Sequence, residues 1–256
     1  MAWKRFPYPS AGFEYTRATL KDAWGALHAG DVEPWPRSAA LASAWIDFHA
    51  GRFEQAAQAG LAAGLPGYSV ANKACCMQAV YLATQADKCA LLLEVAERCD
   101  QQQHQQPGCA AAFYWHAYAL GRHAQEISIL KALAQGVAGQ VKDSLDTALR
   151  LAPRHADAHI ALGVYHAEII AKVGSLVARL TYGASRDEAL HHFRQALKLN
   201  PGSAIARIEY ARGLVMLDGR AAAGEAIALC EQAAASTPHD AMERLDIERA
   251  RQEIAA

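Results

Sequence analysis

What this chain lacks narrows it more than what it has. Charge of neither sign is in excess: 25 Lys and Arg stand against 26 Asp and Glu, a formal net charge of −1 over 256 residues. Nucleic acids and anionic membrane surfaces are gripped through clustered cations, so neither is an expected partner. No apolar run reaches the roughly 20 residues that span a bilayer. The longest uncharged stretches lie around 74–86 and 108–121. The start, MAWKRFPYPSAGFEY, has an early Lys-Arg pair with no apolar run behind it, so a secretory signal is not expected and the cytoplasm is the expected compartment. Enzyme signatures are missing too: no G-x-S-x-G elbow, no P-loop, no G-x-G-x-x-G. The six cysteines (Cys75, Cys76, Cys89, Cys99, Cys109, Cys230) form no CxxC pair and mostly sit in apolar helical stretches. They read as buried free thiols.

What is present is a helical period. Proline and glycine are sparse within long stretches, and no alternating run marks a strand. In 189–199, Ala189, Phe193 and Ala196 fall at i, i+4, i+7, widened by Leu190 and Leu197. Val141, Leu145 and Ala148 repeat the stripe, as do Ala226, Cys230 and Ala233. Each series ends on proline: Pro153, Pro201 and Pro238. A finishing helix tolerates proline where its interior does not. Partner helices lie between these. ADAHIALGVYHAE (156–168) aligns His159, Leu162, Gly163 and His166, and the glycine, costly to a helix, predicts close helix–helix approach. SAIARIEYARGLVML (203–217) aligns Arg207, Tyr210, Ala211 and Leu214. Ser185 and Glu188 form an S-x-x-E start, and Thr237, Pro238 and Asp240 resemble another. Upstream, 43–67 and 72–99 read as two further helix pairs. DQQQHQQPG (100–108) reads as a loop or frayed helix end, and an aromatic helix resumes at 110–122.

These residues resemble the tetratricopeptide repeat. The carriers are the small–aromatic–small helix (Ala189, Phe193, Ala196), the terminal Pro201, and Leu162-Gly163 opening the unit. That repeat has a period of about 34 residues, whereas Pro153 and Pro201 are 48 apart. The surplus falls in 169–185 and, one unit earlier, in 127–140. Two successive lengthened units are similar to the repeat domain of the regulator of microtubule dynamics family, most of all in LTYGASRDEALHHFRQALKLNP (180–201), with the likeness running over residues 110–250. The resemblance implies an all-α, right-handed superhelix (an alpha-alpha solenoid) with extended helices and a C-terminal capping helix. Residues 1–107 would form degenerate hairpins continuous with the repeats of 108–256. It also implies work through partner or lipid contact without catalysis. No counterpart of the N-terminal membrane segment of the family's eukaryotic members is expected here, so membrane tethering is not among the expectations.

The expected function is therefore a non-enzymatic scaffold holding a partner protein or peptide in a concave, largely apolar groove. The groove residues are Ile160, Val164, Ile208 and Arg212, with Tyr114 and Trp115 as further candidates. No carboxylate clamp is expected, because Ile160, Val164, Ile205, Ile208 and Arg212 take its places. The alternative is a carrier of an apolar small molecule or lipid, its cavity enclosed by 127–140 and 169–185. No cofactor is expected. The 11 histidines invite a metal reading through His155, His159 and His166, or Glu188 with His191 or His192. A second Glu-x-x-His is missing, and core or surface histidines are the simpler reading. Cys75-Cys76 lacks an adjacent base and reads as inert. The added segments are expected to extend their helices and pack on each other.

Overall fold

A computed structural model describes residues 3–127, 131–132 and 135–255. Every regular element among them is helical, as the period predicts. Beside short 3-10 and π turns, the α-helices in chain order are α1 (Arg17–Leu27), α2 (Ala39–His49), α3 (Phe53–Ala62), α4 (Tyr68–Met77), α5 (Gln85–Gln105), α6 (Ala110–Glu126), α7 (Val137–Leu151), α8 (Ala156–Val173), α9 (Ser175–Tyr182), α10 (Arg186–Leu199), α11 (Ala204–Asp218), α12 (Ala223–Ala234) and α13 (Ala241–Ala255). They form two compact units. The first runs to His28, continues over Val32–Ala152 and includes His239–Met242; the second holds Ala29–Asp31, Pro153–Pro238 and Glu243–Ala256. The division thus falls at Pro153, away from the polar tract at 100–108.

In the first unit, consecutive helices pack as neighbours from α2 through α7. Ser38 starts α2 by accepting the Leu41 N–H at 3.2 Å, which satisfies one of the donors a helix start leaves open. The turn into α3 needs Gly51: its φ is +82°, and a Cβ there would meet the Phe6 ring at 2.7 Å. Trp45 and Phe48 of α2 and Phe53 of α3 are buried. The buried Lys73 ammonium lies over the Trp45 and Phe48 rings, 5.7 and 5.2 Å from their centroids. The polar tract is more helical than its composition foretells, for α5 continues to Gln105. Gln102 is buried and donates to Gln106 Oε1 at 3.2 Å, while Gln103 donates to the Ala112 carbonyl at 3.3 Å. Pro107 follows and cannot extend the helix. Of the first added segment, 127–140, residues 128–130 and 133–134 lie outside the described residues, and α7 begins at Val137.

In the second unit, α8 packs on α10 and α11, and α11 on α12. Ser185 accepts the Glu188 N–H at 3.2 Å and Ser203 the Ala206 N–H at 3.1 Å, fixing the starts of α10 and α11. One cluster joins Ala189, Leu190 and Phe193 of α10 to Tyr210, Ala211 and Leu214 of α11 and to Ala226, Leu229 and Cys230 of α12. A second joins Ala204 and Ile208 of α11 and Ala233 of α12 to Ile247 and Ala250 of α13. The last helix caps this hairpin, as expected.

The second added segment departs from expectation. Only 169–173 lengthen α8; Gly174, at φ +80° and ψ 156°, breaks the helix, and α9 is a separate element. That backbone conformation is nearly closed to residues with a side chain. No atom lies within 4 Å of a Cβ built at Gly174, so Gly174→Ala tests backbone strain alone. The expected loss is about 1–3 kcal/mol, read as a lower urea midpoint with an unchanged slope.

Candidate functional site

The face of α8 and α11 assigned to a groove is occupied by the chain itself. Ile208 has no exposed surface and packs under α13 against Ile247 and Ala250. Arg212 donates two hydrogen bonds to Glu253 of the same helix α13 and lies 3.7 Å from Glu209. Helical period tells which side of α11 is apolar, but α13, arriving more than 30 residues later, covers that side. Ile208 is therefore core, a correction to the open-groove expectation. Ile160 is buried against Ala196 of α10 and Ala206 of α11, with Val164, Leu197 and Ile205 at the edge of the same cluster. Tyr114 and Trp115, in the first unit, are both buried. Their rings pack with Tyr118, which carries the Arg122 guanidinium over its face at 5.3 Å.

The histidines converge more than their spacing alone announces. His159 of α8 and His192 of α10 meet Nδ1 to Nδ1 at 2.8 Å, so one ring donates and the other accepts. The His166 ring stacks on His192 at 5.8 Å, and its Nδ1 accepts the Ser185 N–H at 3.4 Å. Glu188 Oε2 stands 3.9 Å from His192 Nε2. His155 accepts the Ala158 N–H at 3.2 Å and so starts α8. Among the described residues no three His, Cys, Asp or Glu side chains converge as metal ligands would. The cluster is a helix–helix seam.

Burial pushes the His159 imidazole below its ordinary value, and the neighbouring His191 adds to the fall while the Pro153 backbone opposes it. Burial lowers His116 and His123 of the first unit likewise. A depressed histidine binds its proton more readily in the unfolded chain. Its stabilisation is complete above the unfolded value of about 6.5 and is lost as pH falls through the interval below it. The urea midpoint should therefore fall between neutrality and pH 5, and His159→Gln should flatten that dependence by its own share. The thiols shift the other way. Burial raises Cys75 to about 11 and pushes Cys76 and Cys99 up as well, so these are protonated at neutral pH and not nucleophilic.

Two features of the second unit do face solvent. The outer side of α10 borders an open groove of about 450 Å³ lined by Arg186, Asp187, Leu190, His191, Arg194 and Lys198. Leu190 is its one aliphatic lining residue, and the groove is open, unlike the enclosed cavity a carrier needs. The second feature is α9. Leu176 is 70% exposed and Leu180 76%, with Val177 also exposed, while Ala178 on the other side is buried. By period alone this helix is expected to be packing material. Its distinguishing signal is a glycine at each end, Gly174 and Gly183 (φ +62°), which set the element apart. No helix among the described residues is long and apolar enough to cross a membrane.

The model of one protein family, described as regulator of microtubule dynamics protein 1-3, matches residues 70–255, well over half of the chain. No curated protein matches the chain. Among solved structures it is similar to a thermophilic tetratricopeptide-repeat (TPR) protein of Thermus thermophilus, with a TM-score of 0.58, 18% identity, and coverage of 83% of this chain and 97% of that one. At that identity the likeness speaks for the fold: a TPR-like helical-hairpin repeat.

Proposed function

The chain belongs to the regulator of microtubule dynamics family, and on that footing we propose that it is a non-enzymatic scaffold that binds a partner protein through its second unit. The TPR-like fold supports a protein-interaction role. The observation that carries the reading is α9, whose leucines point to solvent from a helix held in place on the other side. Exposed aliphatic surface of this kind marks contact sites when it is contiguous. The carrier alternative needs 127–140 and 169–185 to wall a cavity, whereas in the second of these α9 turns its leucines outward. The test is chemical cross-linking of the full chain in its host, followed by denaturing recovery and mass spectrometry. A reproducible protein adduct is expected. No adduct, together with a bound small molecule in native mass spectrometry, would replace the scaffold by the carrier.

A further inference from the structure

The surroundings of α9 specify what should sit on it. From Ile169 to Arg186 the chain holds three cations, Lys172, Arg179 and Arg186, and no acidic residue. Two of them are engaged: Lys172 by Glu168 at 2.9 Å, and Arg186 by Asp218 at 2.9 and 2.7 Å. Arg179 pairs with no carboxylate among the described residues. Leu176, Arg179 and Leu180 stand at i, i+3 and i+4, hence on one helical face, with Val177 at its edge. This face is presented rigidly. Ala178 is fully buried, the Ala184 N–H donates to the Ala178 carbonyl at 3.0 Å, and the Tyr165 hydroxyl donates to the Tyr182 carbonyl at 3.4 Å. A pre-ordered face loses little entropy on binding.

We propose that α9 docks an acidic amphipathic helix of a partner protein, whose aliphatic residues one turn apart meet Leu176, Val177 and Leu180 and whose carboxylate meets Arg179. This rests on the scaffold reading and adds the chemistry of the partner. Eight residues of helix extend about 12 Å, two turns, which matches two turns of a second helix. A membrane surface fits less well. Stable attachment draws on roughly four to eight clustered cations, and interfacial helices are rich in Lys and Arg on the polar face. Here Arg179 is the only charge of α9 and Tyr182, half-buried, its only aromatic.

The full chain would be titrated by fluorescence anisotropy with a synthetic helix-forming peptide carrying leucines one turn apart and glutamates beside them, and with its Glu→Lys counterpart. The glutamate peptide should bind the wild type. Leu176→Glu with Leu180→Glu should weaken it by at least about tenfold, and Arg179→Glu should transfer the preference to the lysine peptide. All three positions are exposed, and circular dichroism would confirm that each variant is folded. Four results would overturn the proposal: no binding of the glutamate peptide, binding indifferent to these substitutions, capture of phosphatidylserine vesicles in place of the peptide, or self-association that the leucine changes abolish. If a host protein cross-links equally to the wild type and the double leucine variant, the scaffold reading stands and the role of α9 falls.

Discussion

Replacing Phe193 with alanine is expected to lower the unfolding free energy by about 3–5 kcal/mol, the range for deleting a buried phenylalanine ring. The ring has no exposed surface and stacks on Tyr210 at 5.1 Å with an interplanar angle of 16°. It lies between two glycines on different helices: a Cβ at Gly163 of α8 would sit 2.7 Å from it, and one at Gly213 of α11 only 2.5 Å. The three helices thus approach closely because neither neighbour carries a side chain at the contact. A second experiment shares this cause. In the wild type, Gly213→Ala should destabilise by about 1–3 kcal/mol through overpacking. In the Phe193→Ala background the obstruction is gone, and the same change should stabilise by up to about 1 kcal/mol through helix propensity. A reversal of sign between the two backgrounds, read in urea denaturation, would be hard to obtain from any other arrangement of these residues.

The second large effect concerns a pair that no local pattern announces. In the first unit, His49 of α2 and Asp240, just before α13, meet Nδ1 to Oδ2 at 2.7 Å, and both are almost wholly buried. The His49 ring stacks on Trp45 and meets Trp24 and His28 edge-on. The Tyr15 hydroxyl donates to the neighbouring His239 carbonyl at 2.8 Å. Removing one member strands the other out of water, so His49→Ala or Asp240→Ala should each cost about 3 kcal/mol. Asp240→Asn keeps an oxygen able to accept from the ring and should cost clearly less. If both single alanine variants and the double variant have the same stability as the wild type, the contact does not exist in solution.

Most of the repeat was legible because it is written locally. Ala189, Phe193 and Ala196 share one face of one helix, and Gly163 declares by its lack of a side chain that something packs there. The capping Ser185 likewise needs only its next three residues. What escaped the sequence is set by distant segments. Ile208 and Arg212 lie on the apolar side that periodicity assigns them, but which element covers that side depends on Ile247, Ala250 and Glu253. Tyr114 and Trp115 illustrate the same limit, since an aromatic run reads alike as groove lining or as core. The seam of His159, His166 and His192 needed α8 and α10 brought together before the rings could be seen to meet. The α9 face escaped for the opposite reason: leucines at helical spacing read as core, although the flanking glycines mark a helix held apart.

Site-specific photo-cross-linking tests the docking face most directly. A benzoylphenylalanine placed at Leu180, on α9, is compared in the host cell with one at Leu93, an exposed leucine of α5 in the first unit. The predicted result is one dominant protein adduct from position 180, suppressed by Arg179→Glu, and little from position 93. Adducts of equal yield from both positions, or none from 180, would contradict a partner-binding role for this helix.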